Sequence, residues 1–404
     1  MSKWLHINQI VESVSITHKF HKPMLCFLNT SDIEGGKIVN INRLPIEKLK
    51  GQAKKTIKKD DILFSEIRPK NRRFAYVEIT DTEDYVVSTK LMVLRKFNPE
   101  VDNKYFYYFV TSYDMLAKLQ SRAENRICSF PQITFDLLSE YRVRIPELSE
   151  QQQIVRVLAS IDAKIELNNK TDIQIEQLLK LLYDYWFVQF DFPDKNGHPY
   201  RTSGGKMVFN SEVGRDIPVG WKIGNLSDIA QITLGQSPEG DSYNDDGNGM
   251  VFFQGCTDFG ARFPMVRQYT TAPTRFAKKD DFLLSVRAPV GSINIADRDC
   301  CIGRGLAALR SKTSHDTYLY GALKGLKTIF DRRDSTGTTF GSITKDDLFS
   351  LKVIIPEIGV LNSYKQATAT QFNLQNKVNS ETQELTKLRD WILPLLMNGQ
   401  VKIN

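Results

Sequence analysis

Residues 149–187, SEQQQIVRVLASIDAKIELNNKTDIQIEQLLKLLYDYWF, run for 39 positions without proline or glycine. Spacings that alternate between four and three pick out Ile154, Leu158, Ile161, Ile165, Asn168, Asp172, Ile175, Leu179, Leu182 and Trp186, an apolar seam with a polar interruption at its middle. That is a heptad pattern, and it predicts one continuous helix. At about 1.5 Å per residue the rod is roughly 58 Å long, well beyond the ~11–12 residues of an ordinary core helix. Ser149 reads as its N-cap after Pro146, and Asp191, Phe192 and Pro193 mark its end, because proline cannot continue a helix.

Outside this rod the chain repeats itself. SFPQITFDLLSEYRVRIPE at 129–147 aligns without gaps on TFGSITKDDLFSLKVIIPE at 339–357, and KKDDILFS at 58–65 aligns on KKDDFLLS at 278–285. The order of the two matches is preserved, so a unit of roughly 200 residues is duplicated, far longer than the 20–50 residues of solenoid repeats. A helix follows each Ile-Pro-Glu. The second spans about 361–396 and carries Gln371, Leu374, Val378, Glu381, Leu385, Leu388, Ile392 and Leu395 at the same four-three spacing. Two seams in one chain are expected to bury each other as an antiparallel pair, their polar positions fixing register, which relates the two copies by a pseudo-twofold axis.

Each globular copy reads as α+β, with short strands punctuated by turns and a helix among them. In the first copy the strands are predicted at 62–67, 74–79, 85–87, 91–94 and 142–145 with a helix at 104–120. In the second they are predicted at 230–233, 250–254, 282–286, 292–295, 306–309 and 351–355 with a helix at 317–330. The organisation that follows is a globular domain over 1–147, a spacer helix over 148–192, a Gly- and Pro-rich linker over 193–221, a second domain over 222–357 and a second spacer helix over 358–404.

The 404 residues, 41% hydrophobic and 25% charged, have ordinary globular composition. No apolar run approaches the ~20 residues that cross a bilayer and the N-terminal stretch lacks the apolar core of a signal peptide, so a cytoplasmic protein without membrane contact is expected. Five cysteines, Cys26, Cys128, Cys256, Cys300 and Cys301, form no C-x-x-C pair and point to reduced thiols rather than disulfides or a metal site. The net charge of +7 is unevenly placed. Residues 1–146 carry 24 Lys+Arg against 17 Asp+Glu and 198–355 carry 20 against 17, whereas 147–197 carry 5 against 9. Basic globular segments beside an acidic rod are compatible with nucleic-acid binding.

Catalytic signatures are missing from the sequence. It has no G-x-x-x-x-G-K-[ST], H-E-x-x-H or G-x-S-x-G, and the N-P-P-Y-type loop of amino-methyltransferases is represented only by Asn98 and Pro99, followed by Glu100. Gly303, Arg304 and Gly305 make an isolated G-x-G without the strand and helix that a dinucleotide site requires. What remains suits DNA. Arg68, Lys70, Arg72 and Arg73 lie within six residues just past a strand, where arginine can reach guanine O6 and N7 and lysine can pair with phosphate; a solvated hairpin tip is the plain alternative. The corresponding SVRAPVG of the second copy keeps Arg287 alone, so the two copies would read different sequences. Loops before the final strands contribute Arg126 and Ser129 in the first copy and Arg332, Arg333, Thr336 and Thr338 in the second, and the turn-rich GQSPEGDSY contributes Gln236 and Ser237. These also fit ordinary loop chemistry.

The repeat, the helices and these loops together resemble the specificity subunits of type I restriction-modification systems. The resemblance covers essentially the whole chain. It rests on I-P-x-L-x-E-Q-x-x-I, present as Ile145, Pro146, Leu148, Glu150, Gln151 and Ile154, on Gly220 with Trp221, and on KKDDFLLSVRAPVG at 278–291. One departure is plain: after Ile355, Pro356 and Glu357 the second copy reads IGVLNSYKQ, with no E-Q pair. The resemblance implies two target recognition domains, each reading one half of a split double-stranded DNA target, separated by two long antiparallel helices that form a coiled-coil spacer and set the gap between the halves. It implies no catalysis in this chain. Two modification subunits would bring S-adenosylmethionine and adenine methylation, and restriction subunits would bring ATP- and Mg-dependent translocation and cleavage. Spacer and docking positions would be Glu150, Gln151, Ile154, Leu158, Ile161, Ile165, Ile175, Leu179 and Leu182 on the first helix and Leu374, Val378, Leu385, Leu388 and Ile392 on the second. Two other readings stay open: a stand-alone DNA-modifying enzyme, which would bind a methyl donor by itself, and a coiled-coil scaffold, which would show no salt-dependent DNA affinity.

Overall fold

The computed structural model describes residues 2–125, 131–335 and 342–403, with 328–335 as backbone alone. Its helices are α1 (Asn103–Val110), α2 (Tyr113–Glu124), α3 (Phe135–Ser139), α4 (Leu148–Tyr183), α5 (Leu226–Ile229), α6 (Asp316–Ser335), α7 (Lys345–Phe349) and α8 (Ile358–Met397). The chain divides into two compact units, Met1–Ile165 with Glu384–Asn404, and Glu166–Gln383.

In the first unit, one four-stranded sheet has the order Val11–Ser13, Leu91–Lys96, Ile62–Ser65, Phe74–Tyr76, and another has Arg43–Pro45, Met24–Leu28, Tyr85–Ser88, Ala53–Lys55. Lys3–His6 pairs antiparallel with Arg142–Ile145. The second unit repeats this plan: Ala230–Leu234, Leu306–Ser311, Phe282–Ser285 and Ile293–Ile295 take the same order, and Lys222–Asn225 pairs with Lys352–Ile355. Strands such as Lys3–His6, Met24–Leu28 and Ala53–Lys55 go beyond those predicted.

The repeated Lys-Lys-Asp-Asp has a structural reason. Asp60 and Asp280 both adopt φ near +71°, in the left-handed region that a short polar side chain tolerates best after glycine. The following carboxylate closes the turn: Asp61 accepts from the Lys58 N–H at 2.6 Å and Asp281 from the Lys278 N–H at 2.8 Å. The same buried carboxylates hold an arginine of the neighbouring strand, Arg95 at 2.8 and 2.7 Å and Arg310 at 2.6 Å. Thr134 and Thr344 then cap the short helices α3 and α7 in the two copies. The helix predicted over 104–120 is broken in two, because Thr111 donates to the Tyr107 carbonyl and Ser112 caps the amide of Met115, ending one helix and starting the next.

The α4 helix begins at Leu148, with Ser149 inside its first turn instead of capping it, and ends in a π-turn over Asp184–Val188. Gln151 is fully buried. Its amide donates to the carbonyls of Glu100 and Pro146 at 2.9 Å each, and its oxygen accepts from the Asp102 N–H at 2.8 Å. At the matching point of α8 stands Leu361, which packs with Trp186, Phe187 and Tyr364. The missing E-Q pair is therefore a change from a polar to an apolar anchor.

The seam of α4 is as predicted: Ile154, Leu158, Asn168, Ile175, Leu179 and Trp186 are buried and Ile161, Ile165, Asp172 and Leu182 half-buried. The seam of α8 differs. Leu374 and Leu388 are 45% and 44% exposed, and their neighbours Gln375 and Arg389 turn inward. The cause is the opposing charge on α4. In the first unit Arg389 meets Asp162 at 2.9 Å, while in the second Gln375 meets Glu176 at 2.9 Å, Asn379 meets Asp172 at 2.6 Å and Asn168 meets Glu381 at 2.8 Å. A half-buried carboxylate needs a donor more than a leucine needs cover. In the second unit the three pairs run in opposite senses along the two helices, which are antiparallel there.

Burial would raise the Glu176 carboxyl, but Lys324 at 2.8 Å, Gln375 and Tyr320 outweigh it and hold the group below the usual glutamate range. Arg262 is buried beside them, its guanidinium over the rings of Phe372 and Tyr320 at 4.7 and 5.3 Å. The stretch expected as a linker carries a hairpin, Met207–Asn210 with Arg215–Pro218. Trp221, at its end, stacks on Phe192 at 5.0 Å, and Gly220 at φ +90° lies where a Cβ would fall 2.3 Å from Glu357 Oε1.

Candidate nucleic-acid interface

In the second unit, strand pairing brings separate loops to one rim. Leu234, Phe253, Ser285 and Ile302 end their strands where Leu306 begins its own. The loops beyond are tied together by backbone hydrogen bonds: Gly235 to Leu306, Gln236 to Ile302, Val286 to Gly305, Gly303 to Phe253 and Ile343 to Val286, all at 2.8–3.0 Å. Arg287 bridges to Ser342. The predicted Gln236, Ser237 and Arg287 thus share one rim, although they come from different loops.

The first unit builds the same rim. Ile67 bridges to Gln132, the Arg68 N–H donates to the Pro131 carbonyl at 2.9 Å, and the Glu66 N–H donates to the Lys90 carbonyl at 3.2 Å. Arg68 and Arg72 both have positive φ, 47° and 55°, around the single turn Pro69–Asn71. Two non-glycine residues in that region mark a loop held by its surroundings. Lys70 is clamped from α2, its N–H on Gln120 Oε1 at 3.2 Å and its ammonium 3.6 Å from Glu124.

The four predicted cations part company here. Arg68 and Lys70 are exposed at the rim. Arg72 is half-buried over the Phe74 ring at 5.8 Å. Arg73 turns away from the rim, donating to the Ile33 carbonyl at 3.1 Å and lying 3.3 Å from Glu34, so it braces the neighbouring hairpin. Arg126, Ser129, Thr336 and Thr338, and the side chains of Arg332 and Arg333, lie outside the described residues.

The scaffold is shared but the rim side chains are not. Asn29 and Gln254 both follow a strand and both donate their N–H to an aspartate, Asp32 at 2.7 Å and Asp258 at 3.0 Å. Thr89 and Arg304 each stand two residues before a strand, and Lys90 corresponds to Gly305. Gln254 and Arg304 were not among the residues predicted from sequence.

Of the predicted spacer positions, Ile154, Leu158, Ile175, Leu179 and Val378 are buried, Ile161, Ile165, Leu182, Leu385 and Ile392 half-buried, and Glu150 holds Arg144 at 2.8 Å. Gln151 is spent inside its own domain. Exposed apolar side chains lie elsewhere on the helices, at Leu167, Ile173, Leu178 and Leu181 of α4 and at Trp391 of α8. Among the described residues no cluster of His, Cys, Asp and Glu is arranged for a metal ion, and no helix is long and apolar enough to cross a membrane.

Comparison with known proteins agrees with this architecture. The HindI type I restriction enzyme specificity subunit of Haemophilus influenzae is 27% identical over 468 residues, spanning 99% of this chain and 100% of that one. The putative MjaX specificity subunit of Methanocaldococcus jannaschii is 27% identical over 351 residues, 85% of this chain and 79% of that one. The crystal structure of a type I restriction-modification S subunit from M. genitalium shares the fold, with a TM-score of 0.56 at 16% identity over 98% of this chain and 96% of that one. The family model for the type I restriction modification DNA specificity domain matches twice, at 20–177 and 218–389, once over each copy of the repeat. With both copies matched across most of its length, the chain belongs to the type I restriction modification DNA specificity family.

Proposed function

We propose that this chain is the non-catalytic specificity subunit of a type I restriction-modification complex, and that each rim reads one half of a bipartite double-stranded DNA target. The observation that carries this is the pairing of a repeated scaffold with divergent rims. The same strands, turns and Asp–Arg pairs are built twice, yet Asn29, Thr89 and Lys90 stand where Gln254, Arg304 and Gly305 stand in the other copy. Loops of Arg, Gln, Ser and backbone N–H groups on a rigid sheet suit base edges and phosphates.

The helices α4 and α8 act as the spacer that fixes the gap between the halves. Their exposed leucines, isoleucine and Trp391 suit docking of two modification subunits, since large apolar side chains left in water on a helix favour association. Those partners supply S-adenosylmethionine chemistry, and restriction subunits supply ATP- and Mg-dependent steps. Such a complex works on DNA in the cytoplasm.

Selection of duplexes from a random-sequence pool by the chain, assembled with its modification subunits, tests the proposal. Two fixed elements at a constant gap are expected, with affinity falling steeply as salt rises. Recovery of unrelated sequences, or of one continuous element, would count against it.

A further inference from the structure

Gly303-Arg304-Gly305, unsuited to a nucleotide site, has a different use in the folded chain. A Cβ on Gly235 would fall 2.1 Å from the Gly303 carbonyl oxygen, and one on Gly303 or Gly305 would fall 3.0 or 2.8 Å from the Gln254 carbonyl oxygen. These glycines let three loops press together. The Ser237 hydroxyl sits at the junction, accepting from Gln254 Nε2 at 3.3 Å and from both the backbone N–H and the Nε–H of Arg304 at 3.4 Å. The loop carrying Ser237 is pinned in turn by Thr274, which donates to the Gln236 carbonyl at 2.6 Å.

Gln254 and Arg304 are exposed, and among the described residues the Gln254 carboxamide oxygen and both Arg304 Nη atoms have no hydrogen-bond partner. Each keeps a two-point edge free. A carboxamide offers one donor and one acceptor, the match for adenine N6 and N7, and a guanidinium offers two donors, the match for guanine O6 and N7. Holding both through one hydroxyl lowers the entropy lost when they dock.

From this we infer that Gln254 and Arg304 are base-reading residues of the second domain, addressing neighbouring A·T and G·C pairs in the major groove from a platform fixed by Ser237. The inference rests on the bipartite reading above and assigns its second half. The test is random-pool selection with the full complex carrying Arg304→Lys, Gln254→Ala or no change. Arg304→Lys keeps the charge and loses the fork, so preference for one G·C pair in one half-site should fall roughly 5- to 150-fold while binding to non-specific DNA stays within about twofold. Gln254→Ala should relax a neighbouring A·T pair, and the other half-site should be unchanged in both. An unaltered selected sequence, or a uniform loss across all sequences with a shallower salt slope, would overturn the inference and leave bipartite recognition standing. Loss of any selected sequence in the unaltered complex would overturn both.

Discussion

Asp61 grips Arg95 through two hydrogen bonds, Oδ1 to Nε at 2.8 Å and Oδ2 to Nη2 at 2.7 Å, with the carboxylate almost fully buried. The carboxylate also closes the Lys58 turn, so its loss strands a half-buried cation and a backbone donor together. Asp61→Ala should destabilise the first domain by about 3 kcal/mol. In a calorimetric scan its transition should drop by several degrees, with the second domain's transition unmoved. A drop near zero would make the repeated motif a sequence relic.

Gln151→Leu installs the residue that the second copy uses at the corresponding position. It should still be harmful, because the Asp102 N–H and the Glu100 and Pro146 carbonyls lose their partner. A cost of about 2–3 kcal/mol in denaturant unfolding is expected. A neutral result would show that water replaces the amide.

The rim cations separate from the bracing one by their salt dependence. Arg68→Ala and Lys70→Ala should each weaken binding evenly across sequences and lower the log–log salt slope by about one. Arg73→Ala should leave the slope alone and lower the melting temperature of the first domain. Equal slopes for all three variants would return the run to a solvated turn.

Glu176 predicts a pH effect. Its folded-state carboxyl lies below the ordinary value of 4.5, so its stabilisation is present above that pH and is lost as pH falls through the lower folded value. Glu176→Gln should lower the melting temperature of the second unit at pH 7 and converge with the unaltered chain once pH has fallen through the lowered folded-state value. A difference that persists undiminished at pH 3 would mean that shape, not charge, holds Lys324 and Tyr320.

The long helices and the duplication were legible because both are local signals, a spacing and a self-alignment. The seam of α8 was misplaced where apolar spacing chose Leu374 and Leu388. Only the facing Glu176 and Asp162 show why Gln375 and Arg389 enter instead. Arg73 read as a DNA contact because a cation run does not say which way each side chain turns. Gln254 and Arg304 were missed for a related reason: Ser237, Gln254 and Arg304 become neighbours only through strand pairing and the close approach of Gly235, Gly303 and Gly305. The sequence signal is that Gly-Arg-Gly, whose glycines serve close loop packing and not a nucleotide.

The spacer carries the central claim. Lengthening both helices by one heptad, between Asn168 and Asp172 and at the facing Asn379–Glu381 stretch, adds about 10.5 Å of helix, close to three base pairs. The methylated adenines in the genome of a host carrying the altered system should show both half-site sequences intact and a gap longer by about three base pairs. An unchanged gap, or altered half-site sequences, would contradict the account.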